Sequence, residues 1–328
     1  MSDYLIYIVF AALFVSIELL YFYVADKYDI IDHPNERSSH SEVTLRGGGI
    51  LFPLALLCNS LFIGFEYPNF LLGLLCISFI SFWDDVNTAS SKLRIVFHLM
   101  AVTFLFFELQ MFQYPIWLII IAYILVIGII NAYNFMDGIN GITGLYSLTV
   151  VLTLIWINQS LGFINHYFLV VTALALLVFL YFNFRYKARC FAGDVGSVSM
   201  AFIVIFAIIS LFLKTNNFLY VLLLAVYGVD TVLTIFIRLA RGENIFEAHR
   251  MHTYQILSNE AGMSHRLVAF IYAFIQLIIN VLVIYIISQD FGFIVESGFA
   301  VALLLALSLI YAWARNRGHS YSARKLGE

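Results

Sequence analysis

Long runs of apolar residues recur along the whole chain, separated by short polar segments. About 20 apolar residues in an α-helix are enough to cross the hydrocarbon core of a bilayer. The pattern predicts an all-α fold, a polytopic membrane helix bundle of about eleven transmembrane helices. The predicted spans are residues 4–24, 47–65, 69–83, 95–113, 115–134, 138–157, 165–184, 196–213, 218–237, 267–287 and 295–314.

Composition supports a lipid environment for most of the chain. Only 11% of its residues are charged and 62% are hydrophobic, whereas a soluble domain carries about 25% charged residues. The first apolar run lacks the basic start and small-residue cleavage site of a signal peptide, which predicts a retained helix. No soluble segment or long linker interrupts the spans, so residues 1–328 are interpreted as a single integral membrane domain.

Basic residues gather on one side of this predicted bundle. All but one of the 17 Lys and Arg residues fall in alternate loops and the C-terminal tail, and Lys214 is the exception. Because Lys and Arg are retained in cytoplasmic loops, the N-terminus is predicted to be periplasmic and the C-terminus cytoplasmic. Arg315 and Arg317 in the tail are interpreted as such positive-inside signals. The same loops hold most of the acids and amides, so the chemistry is expected there.

Two adjacent carboxylates, Asp84 and Asp85, directly follow the third predicted span. Their mutual repulsion raises one pKa or recruits a cation, and either outcome suits a general base or a metal site. A solvated helix end is the alternative. Lys92 and Arg94 follow within a short loop and are suited to binding a phosphate, although anchoring to the membrane surface also explains them.

Asn131, Asn134, Asp137 and Asn140 recur at a spacing of three. On a helix this spacing predicts a polar stripe along one side, which must face the bundle interior or a wet cavity. Hydrogen bonds between helices are the alternative role for the asparagines.

Asp194 lies between Gly193 and Gly196, just before a predicted helix. Small residues allow a ligand to approach the backbone, and free N–H groups at a helix start bind phosphate. The alternative is that Asp194 merely caps this helix.

The longest inner loop contains His249, Arg250 and His252. The two histidines, at positions i and i+3, are predicted to share a helical face. Phosphate contacts are favoured over a zinc pair because no further Cys or His lies near enough to complete a zinc site. The intramembrane acids Glu18 and Asp230 are explained equally well by hydrogen bonds between helices and are not nominated for the site.

Taken together, the inner loops offer paired acids, amides, basic side chains and a glycine-flanked acid, which suit magnesium-assisted phosphoryl transfer. A membrane enzyme of this kind implies one lipid phosphate and one water-soluble donor. The main alternative is a secondary transporter with cytoplasmic gating loops, but the sequence shows no repeat and the polar groups lie at one face. A lipid-binding scaffold would leave the acids unexplained.

Five motifs in order resemble those of the polyprenyl-phosphate N-acetylhexosamine-1-phosphate transferases. They are DHPNERSSH at 32–40, WDD with SKLR at 83–94, NAYNFMDGINGI at 131–142, FAGDVGS at 191–197 and HRMHTYQ at 249–255. The resemblance implies a Mg²⁺ enzyme, with Mn²⁺ as a substitute, of the bacterial inner membrane. Undecaprenyl phosphate would attack the β-phosphorus of a UDP-N-acetylhexosamine at the cytoplasmic face, releasing UMP and starting cell-surface polysaccharide synthesis. Membrane lipid surrounds such an enzyme, no nucleic acid is a partner, and a homodimer is left open.

The resemblance also implies roles for individual residues. Catalysis is assigned to Asp84, Asp85, Asp137 and Lys92, with one of the aspartate pair acting as the base. The magnesium ligands are Asn134 and Asp194. Nucleotide and pyrophosphate binding is assigned to Asn140, Phe191, Gly193, His249, Arg250 and His252, and the lipid phosphate to Arg37, Lys92 and Arg94.

Three positions depart from the family pattern. Asn140 stands where many bacterial members have Asp, and Thr44 stands where many have Pro before a glycine run. Thr253 follows His252 where the family often has consecutive histidines, which argues against the branch that transfers a pentapeptide-bearing sugar. The expected place is among the transferases that initiate O-antigen synthesis, with the sugar unassigned.

Overall fold

The computed structural model describes residues 3–32, 43–244 and 250–325 of the chain. Two predicted phosphate-binding residues, Arg37 and His249, lie outside the described residues. The helices are α1 Asp3–Lys27, α2 Leu51–Ile63, α3 Pro68–Val86, α4 Ser91–Glu108, α5 Ile116–Met136, α6 Ile142–Leu161, α7 His166–Asn183, α8 Gly193–Thr215, α9 Ala225–Ala240, the short α10 Thr253–Gln255, α11 His265–Ser288 and α12 Phe293–Lys325. Short 3₁₀ turns at Gly48–Ile50, Met111–Gln113 and Phe218–Leu224, and a π-turn at Ile256–Glu260, complete the helical structure.

Each of the eleven predicted spans coincides with a helical segment in the described part of the chain, and the all-α polytopic fold is confirmed. In the described part of the chain, nine helical segments are long and apolar enough to cross a membrane. The other two predicted spans are helices that fall short of this standard. α2 has only 13 residues, and α4 begins with Ser91, Lys92 and Arg94 in its first turns, which makes that end polar. Ser90, Asn165 and Ser264 cap α4, α7 and α11 through side-chain oxygens that accept first-turn N–H groups.

α8 is the central helix. In its most apolar stretch of 18 residues, 83% of the residues are buried inside the protein, compared with 17% in the corresponding stretch of α12. A helix that is apolar on all sides is expected at the centre of a bundle. α3 packs along α8 through aromatic rings, with Phe70 stacked on Phe206 at 4.2 Å between ring centroids. A 2.7 Å hydrogen bond between the hydroxyls of Ser78 and Ser199 joins the same two helices. These contacts fix the end of α3 beside the start of α8.

A small sheet holds the chain before α2 against the chain before α8. Strand β1, Ile31–Asp32, pairs antiparallel with strand β2, Thr44–Leu45, and Leu45 forms a parallel bridge with Cys190. The N–H of Gly49 then donates to the Ala192 carbonyl at 3.0 Å. A Cβ atom on Gly49 would lie 2.1 Å from the Cα of Gly196, so this backbone contact requires glycine.

α5 ends at Met136, which limits the predicted polar stripe to Asn131 and Asn134. Asp137 and Asn140 lie in the following turn, so the prediction that all four residues share a helix face is wrong. The turn reverses the chain at Gly141, which has φ of +84° and whose N–H donates to Asn183 Oδ1 at 2.7 Å.

Candidate active site

Asp85 joins the end of α3 to the beginning of α8. Its Oδ1 accepts the N–H of Asp194 and its Oδ2 accepts the N–H of Val195, both at 2.9 Å. These are first-turn N–H groups that have no partner within their own helix, and a carboxylate there also interacts favourably with the helix dipole. Gly193 has φ of +73°, and a Cβ atom on it would lie 2.5 Å from Asp85 Oδ2. Asp85, with a side chain 0% exposed, therefore acts as the anionic cap of α8.

Arg46 brings a positive charge to this junction. Its Nε donates to Asp85 Oδ1 at 2.7 Å, and its Nη2 lies 3.5 Å from Asp194 Oδ1. The small sheet positions it, since its N–H donates to the Ile30 carbonyl at 3.0 Å. Burial opposes the charge of Arg46, but the carboxylates of Asp85 and Asp194 outweigh burial and raise its pKa above the ordinary value. Sequence analysis missed Arg46 as a site residue and counted it only among the basic loop residues.

Asp84 and Asp194 form the more accessible part of the site, with side chains 10% and 17% exposed. Their carboxyl groups lie side by side, because both pair with the guanidinium of Arg94. Arg94 spans the pair, with Nη1 at 2.9 Å from Asp84 Oδ2 and Nη2 at 3.6 Å from Asp194 Oδ2. Asp84 Oδ1 also accepts the N–H of Ala89 at 2.7 Å, which fixes its orientation. Two neighbouring carboxylates need a cation or a shared proton between them.

Asp137 adds a fourth carboxyl group from the end of α5. Its pKa is raised to about 7, mainly by burial and also by the charge of Asp194, against the lowering effect of the charge of Arg46. A carboxyl group with such a pKa can exchange a proton near neutral pH. Asn134 lies one turn earlier on the same helix and is half-buried.

A second group of contacts fixes the segment Arg250–Gln255 at the same end of the bundle. Asp230 is buried in α9. Its Oδ1 lies 3.1 Å from His252 Nδ1 and accepts the N–H of Thr253 at 3.2 Å. Its Oδ2 accepts the hydroxyl of Tyr272 on α11. Asp230 therefore forms the interhelical hydrogen bonds that were one of its two predicted roles, and it also positions His252.

Tyr254 connects this segment to the turn that carries Asp137. Its hydroxyl donates to the Phe135 carbonyl at 3.0 Å. A Cβ atom on Gly138 would lie 2.1 Å from that hydroxyl oxygen, so the turn needs a glycine there. His252 is the N-terminal cap of α10. The zinc alternative also involves His249, which lies outside the described residues.

Arg315 in α12 holds the segment from the other side. Its Nη1 donates to the Met251 carbonyl at 2.6 Å and to the Tyr311 hydroxyl at 3.2 Å. The side chain is buried and hydrogen-bonded within the protein, a structural role that the sequence did not predict, and its interpretation as a positive-inside signal stays a prediction. We call the contacts of Asp230 and Arg315 with residues 251–253 the latch.

The remaining predicted residues lie around this centre. Lys92 is exposed in the first turn of α4, and Phe191 and Arg250 are half-buried. Asn140 is buried, and its Nδ2 donates to the carbonyls of Arg185 and Tyr186 at 3.1 and 3.4 Å. Its Oδ1 is buried and has no hydrogen-bond partner among the described residues. Asn140 thus supports the turn between α7 and α8 with one side of its amide.

Comparison with known proteins places the acid cluster inside a recognised sequence family. Residues 67–212, which include Asp84, Asp85, Asp137 and Asp194, match the family described as Glycosyl transferase family 4. The chain is 27% identical over 296 residues to a probable undecaprenyl-phosphate N-acetylglucosaminyl 1-phosphate transferase of Bacillus subtilis, covering 82% of this chain and 77% of the relative.

Two further relatives carry names from two branches. An undecaprenyl-phosphate alpha-N-acetylglucosaminyl 1-phosphate transferase of Escherichia coli K12 is 26% identical over 270 residues, 74% of this chain and 72% of the relative. A phospho-N-acetylmuramoyl-pentapeptide-transferase of Clostridium perfringens is 35% identical over 130 residues, 38% of this chain and 39% of the relative. The longer matches are with the N-acetylglucosaminyl transferases.

Proposed function

We propose that this chain is a member of glycosyl transferase family 4, whose model matches residues 67–212, and that it transfers an N-acetylated sugar 1-phosphate from a UDP-sugar to undecaprenyl phosphate. The observation that carries the proposal is the pair of carboxylates Asp84 and Asp194, which Arg94 joins and Arg46 approaches at Asp194, where membrane-crossing helices end. Acidic and basic groups at that depth can meet a lipid phosphate and a soluble nucleotide together. Residues 1–328 would act as one membrane transferase domain.

In the proposed reaction, an oxygen of the lipid phosphate attacks the β-phosphorus of the UDP-sugar. The new P–O bond joins the lipid phosphate to the sugar phosphate, and the bond between the β-phosphorus and the bridging oxygen breaks. UMP leaves with that electron pair, so the products are a lipid-linked sugar diphosphate and UMP. Arg94 and Lys92 would bind the lipid phosphate, together with Arg37 from outside the described residues.

Carboxylates near the reacting phosphates have separate proposed tasks. Asp84 and Asp137 would accept the proton of the lipid phosphate, and a pKa of about 7 suits Asp137 to that task. Asp85 would act as a positioning residue, because its oxygens are occupied by α8 and Arg46. Gly193 would allow close approach of a phosphate to the start of α8.

The donor set fits a magnesium ion. Asp194 supplies a hard oxygen ligand beside Asp84, where both pair with Arg94, and Mg²⁺ usually binds one or two carboxylates plus substrate phosphates. Asp194 and Asn134 would hold the ion, and Mn²⁺ accepts the same ligands. When bound, it would neutralise the diphosphate and polarise its P–O bonds.

The segment with His252 would bind the nucleotide side of the donor. Arg250 and His252, with His249 outside the described residues, would contact the diphosphate, and Phe191 would stack on the uracil. Asn140 would read the nucleoside through its buried Oδ1. Because nucleotide sugars are cytoplasmic, we place this end of the bundle at the cytoplasmic face of a bacterial inner membrane. Assembly as a homodimer stays a prediction.

A donor screen tests the proposal. Purified protein in nanodiscs with undecaprenyl phosphate and Mg²⁺ is incubated with UDP-GlcNAc, UDP-GalNAc, UDP-N-acetyldeoxyhexoses and UDP-MurNAc-pentapeptide, and both the lipid product and UMP are measured. One N-acetylhexosamine donor should label the lipid, and chelation of the metal should stop the reaction.

Asp194→Asn should abolish this turnover, whereas Asp290→Asn, an exposed residue between α11 and α12, should retain it. If no donor labels the lipid while proteoliposomes transport a solute, the transporter alternative replaces the enzyme. Wild-type turnover in Asp194→Asn would remove Asp194 from the proposed metal site.

A further inference from the structure

A cavity of about 750 Å³ lies between α9, α11 and α12, apart from the acid cluster. Its wall is mainly aliphatic and comes from all three helices, with Val226, Val229, Ile271, Ile275, Leu307 and Ile310. Its size is within the range of about 300–1,000 Å³ that binds small organic ligands. An aliphatic wall of this extent selects a hydrocarbon group.

The cavity opens between α11 and α12 toward the surrounding lipid. α11 packs mainly on α6 and on the Phe218–Leu224 turn, whereas α12 packs mainly on α9 and on the Ile256–Glu260 turn. These two consecutive helices therefore diverge, and the gap between them is the cavity. Ile310 and Trp313 on its rim are 48% and 62% exposed. Since both helices are long enough to cross the membrane, the opening meets lipid tails.

Arg317 gives the cavity a positive charge at its mouth. It lines the cavity and is the last residue of the apolar span Phe293–Arg317. Its guanidinium lies over the Trp313 ring at 5.6 Å from the centroid. Trp and Arg at the end of a span lie at the depth of the lipid head groups. Asp230 also lines the cavity, but its carboxylate is already occupied by His252, Thr253 and Tyr272.

We propose that this cavity binds a membrane phospholipid with an anionic head group. One acyl chain would fill the aliphatic chamber, and the phosphate would pair with Arg317. An uncharged chain alone would leave the guanidinium unused, whereas a phosphate at head-group depth matches it in charge and position.

The bound lipid would also support the latch. Asp230, Thr253 and Tyr272 form part of the cavity wall and hold the His252 segment by hydrogen bonds. An acyl chain packed against them would restrict their motion and thereby stabilise that segment. The lipid site does not depend on the proposed transferase function, since lipid binding is measured directly.

Native mass spectrometry of delipidated protein tests the site. Phosphatidylglycerol and phosphatidylcholine with identical acyl chains are added in equal amounts, and the retained lipid is counted. We expect phosphatidylglycerol to be retained at least about tenfold better, which corresponds to about 1.4 kcal/mol, because the choline cation of phosphatidylcholine neutralises its head group and weakens the pairing of its phosphate with Arg317. Arg317→Gln should remove the preference, and Ala314→Phe should block retention by filling the cavity.

Matched controls are available at the same end of the bundle. Arg266→Gln removes an exposed charge from α11, and Leu309→Trp enlarges a 73% exposed neighbour of Ile310 that does not line the cavity. Both should retain phosphatidylglycerol as the wild type does. Equal retention of the two phospholipids, or unchanged retention in Ala314→Phe, would overturn the proposal. Displacement of phosphatidylglycerol by equimolar undecaprenyl phosphate would assign the cavity to the acceptor lipid instead.

Discussion

Arg315 donates to the Met251 carbonyl across 64 residues of chain, at 2.6 Å. This hydrogen bond makes α12, a peripheral helix, a support of the segment that carries Arg250 and His252. The same segment is held from α9 by Asp230. The loop is therefore held between two helices, which would lower the entropy lost when it binds the proposed donor.

Replacing Arg315 with methionine should weaken donor binding. The side chain keeps a similar length but loses a charged hydrogen bond, which is worth about 1.5–3 kcal/mol. The KM for the UDP-sugar should therefore rise about tenfold or more, with a smaller change in kcat. Arg266→Met, at an exposed position, is the control. An unchanged KM in Arg315→Met would show that the latch does not position the donor.

Asp84 and Asp85 are adjacent but should respond differently to substitution with asparagine. Asp85→Asn places an amide NH₂ against either a backbone N–H of α8 or Arg46, and disruption of a buried pair costs about 3 kcal/mol or more. Asp85→Asn should thus lower the thermal unfolding midpoint and turnover together. Asp84→Asn should abolish turnover at near wild-type stability. Thermal unfolding in detergent and the transferase assay separate the two, and equal stability losses would contradict the cap assigned to Asp85.

We expect that lysine cannot take over the function of Arg46. The guanidinium reaches Asp85 through Nε and Asp194 through Nη2, whereas a single ammonium group cannot span both carboxylates. Arg46→Lys should reduce turnover by about 100-fold, the effect of losing about 2.7 kcal/mol. Arg241→Lys is the control, because its 3.9 Å pair with Glu243 is exposed and contributes little. Full activity in Arg46→Lys would show that charge alone suffices.

Gly49 should tolerate no side chain. In Gly49→Ala the new methyl group would overlap the backbone of Gly196 and separate α2 from α8. We expect a lower yield of folded protein and a lower unfolding midpoint. Gly128→Ala, which has open space around its Cα in α5, should be neutral or slightly stabilising because alanine favours helix. Equal yields of the two variants would disprove the close packing of this region.

Hydrophobic periodicity was sufficient to predict the helices, because each span is an almost continuous apolar run. It could not predict that α5 stops at Met136, since Asp137 and Asn140 continued the spacing of three. Contacts with residues distant in the sequence determine where the helix ends. Gly138 packs against Tyr254, and Gly141 packs against Phe184. Periodicity carries no information about such partners.

The roles of the basic residues were harder to predict than the helices. A basic residue in a loop looks the same in sequence whether it anchors the protein or pairs with an acid, so Arg46 and Arg315 were grouped with exposed residues such as Arg266. The glycine run at 47–49 was the available signal for Arg46, since close backbone packing beside a base suggests a constructed site. Arg315 offered no comparable signal, because Met251 lies in a different part of the sequence.

The joining of distant segments has a consequence for biosynthesis. Asp85 and the N–H of Asp194 are 109 residues apart in the chain, so the acid cluster cannot assemble until α8 has left the ribosome. The hydrogen bond to the Met251 carbonyl can form only after Arg315 in α12 has been synthesised. A nascent chain arrested before α12 would therefore insert with its acids in place, while the segment Arg250–Gln255 lacks its contact with Arg315. We expect the proposed affinity for the donor to rise once α12 has been made.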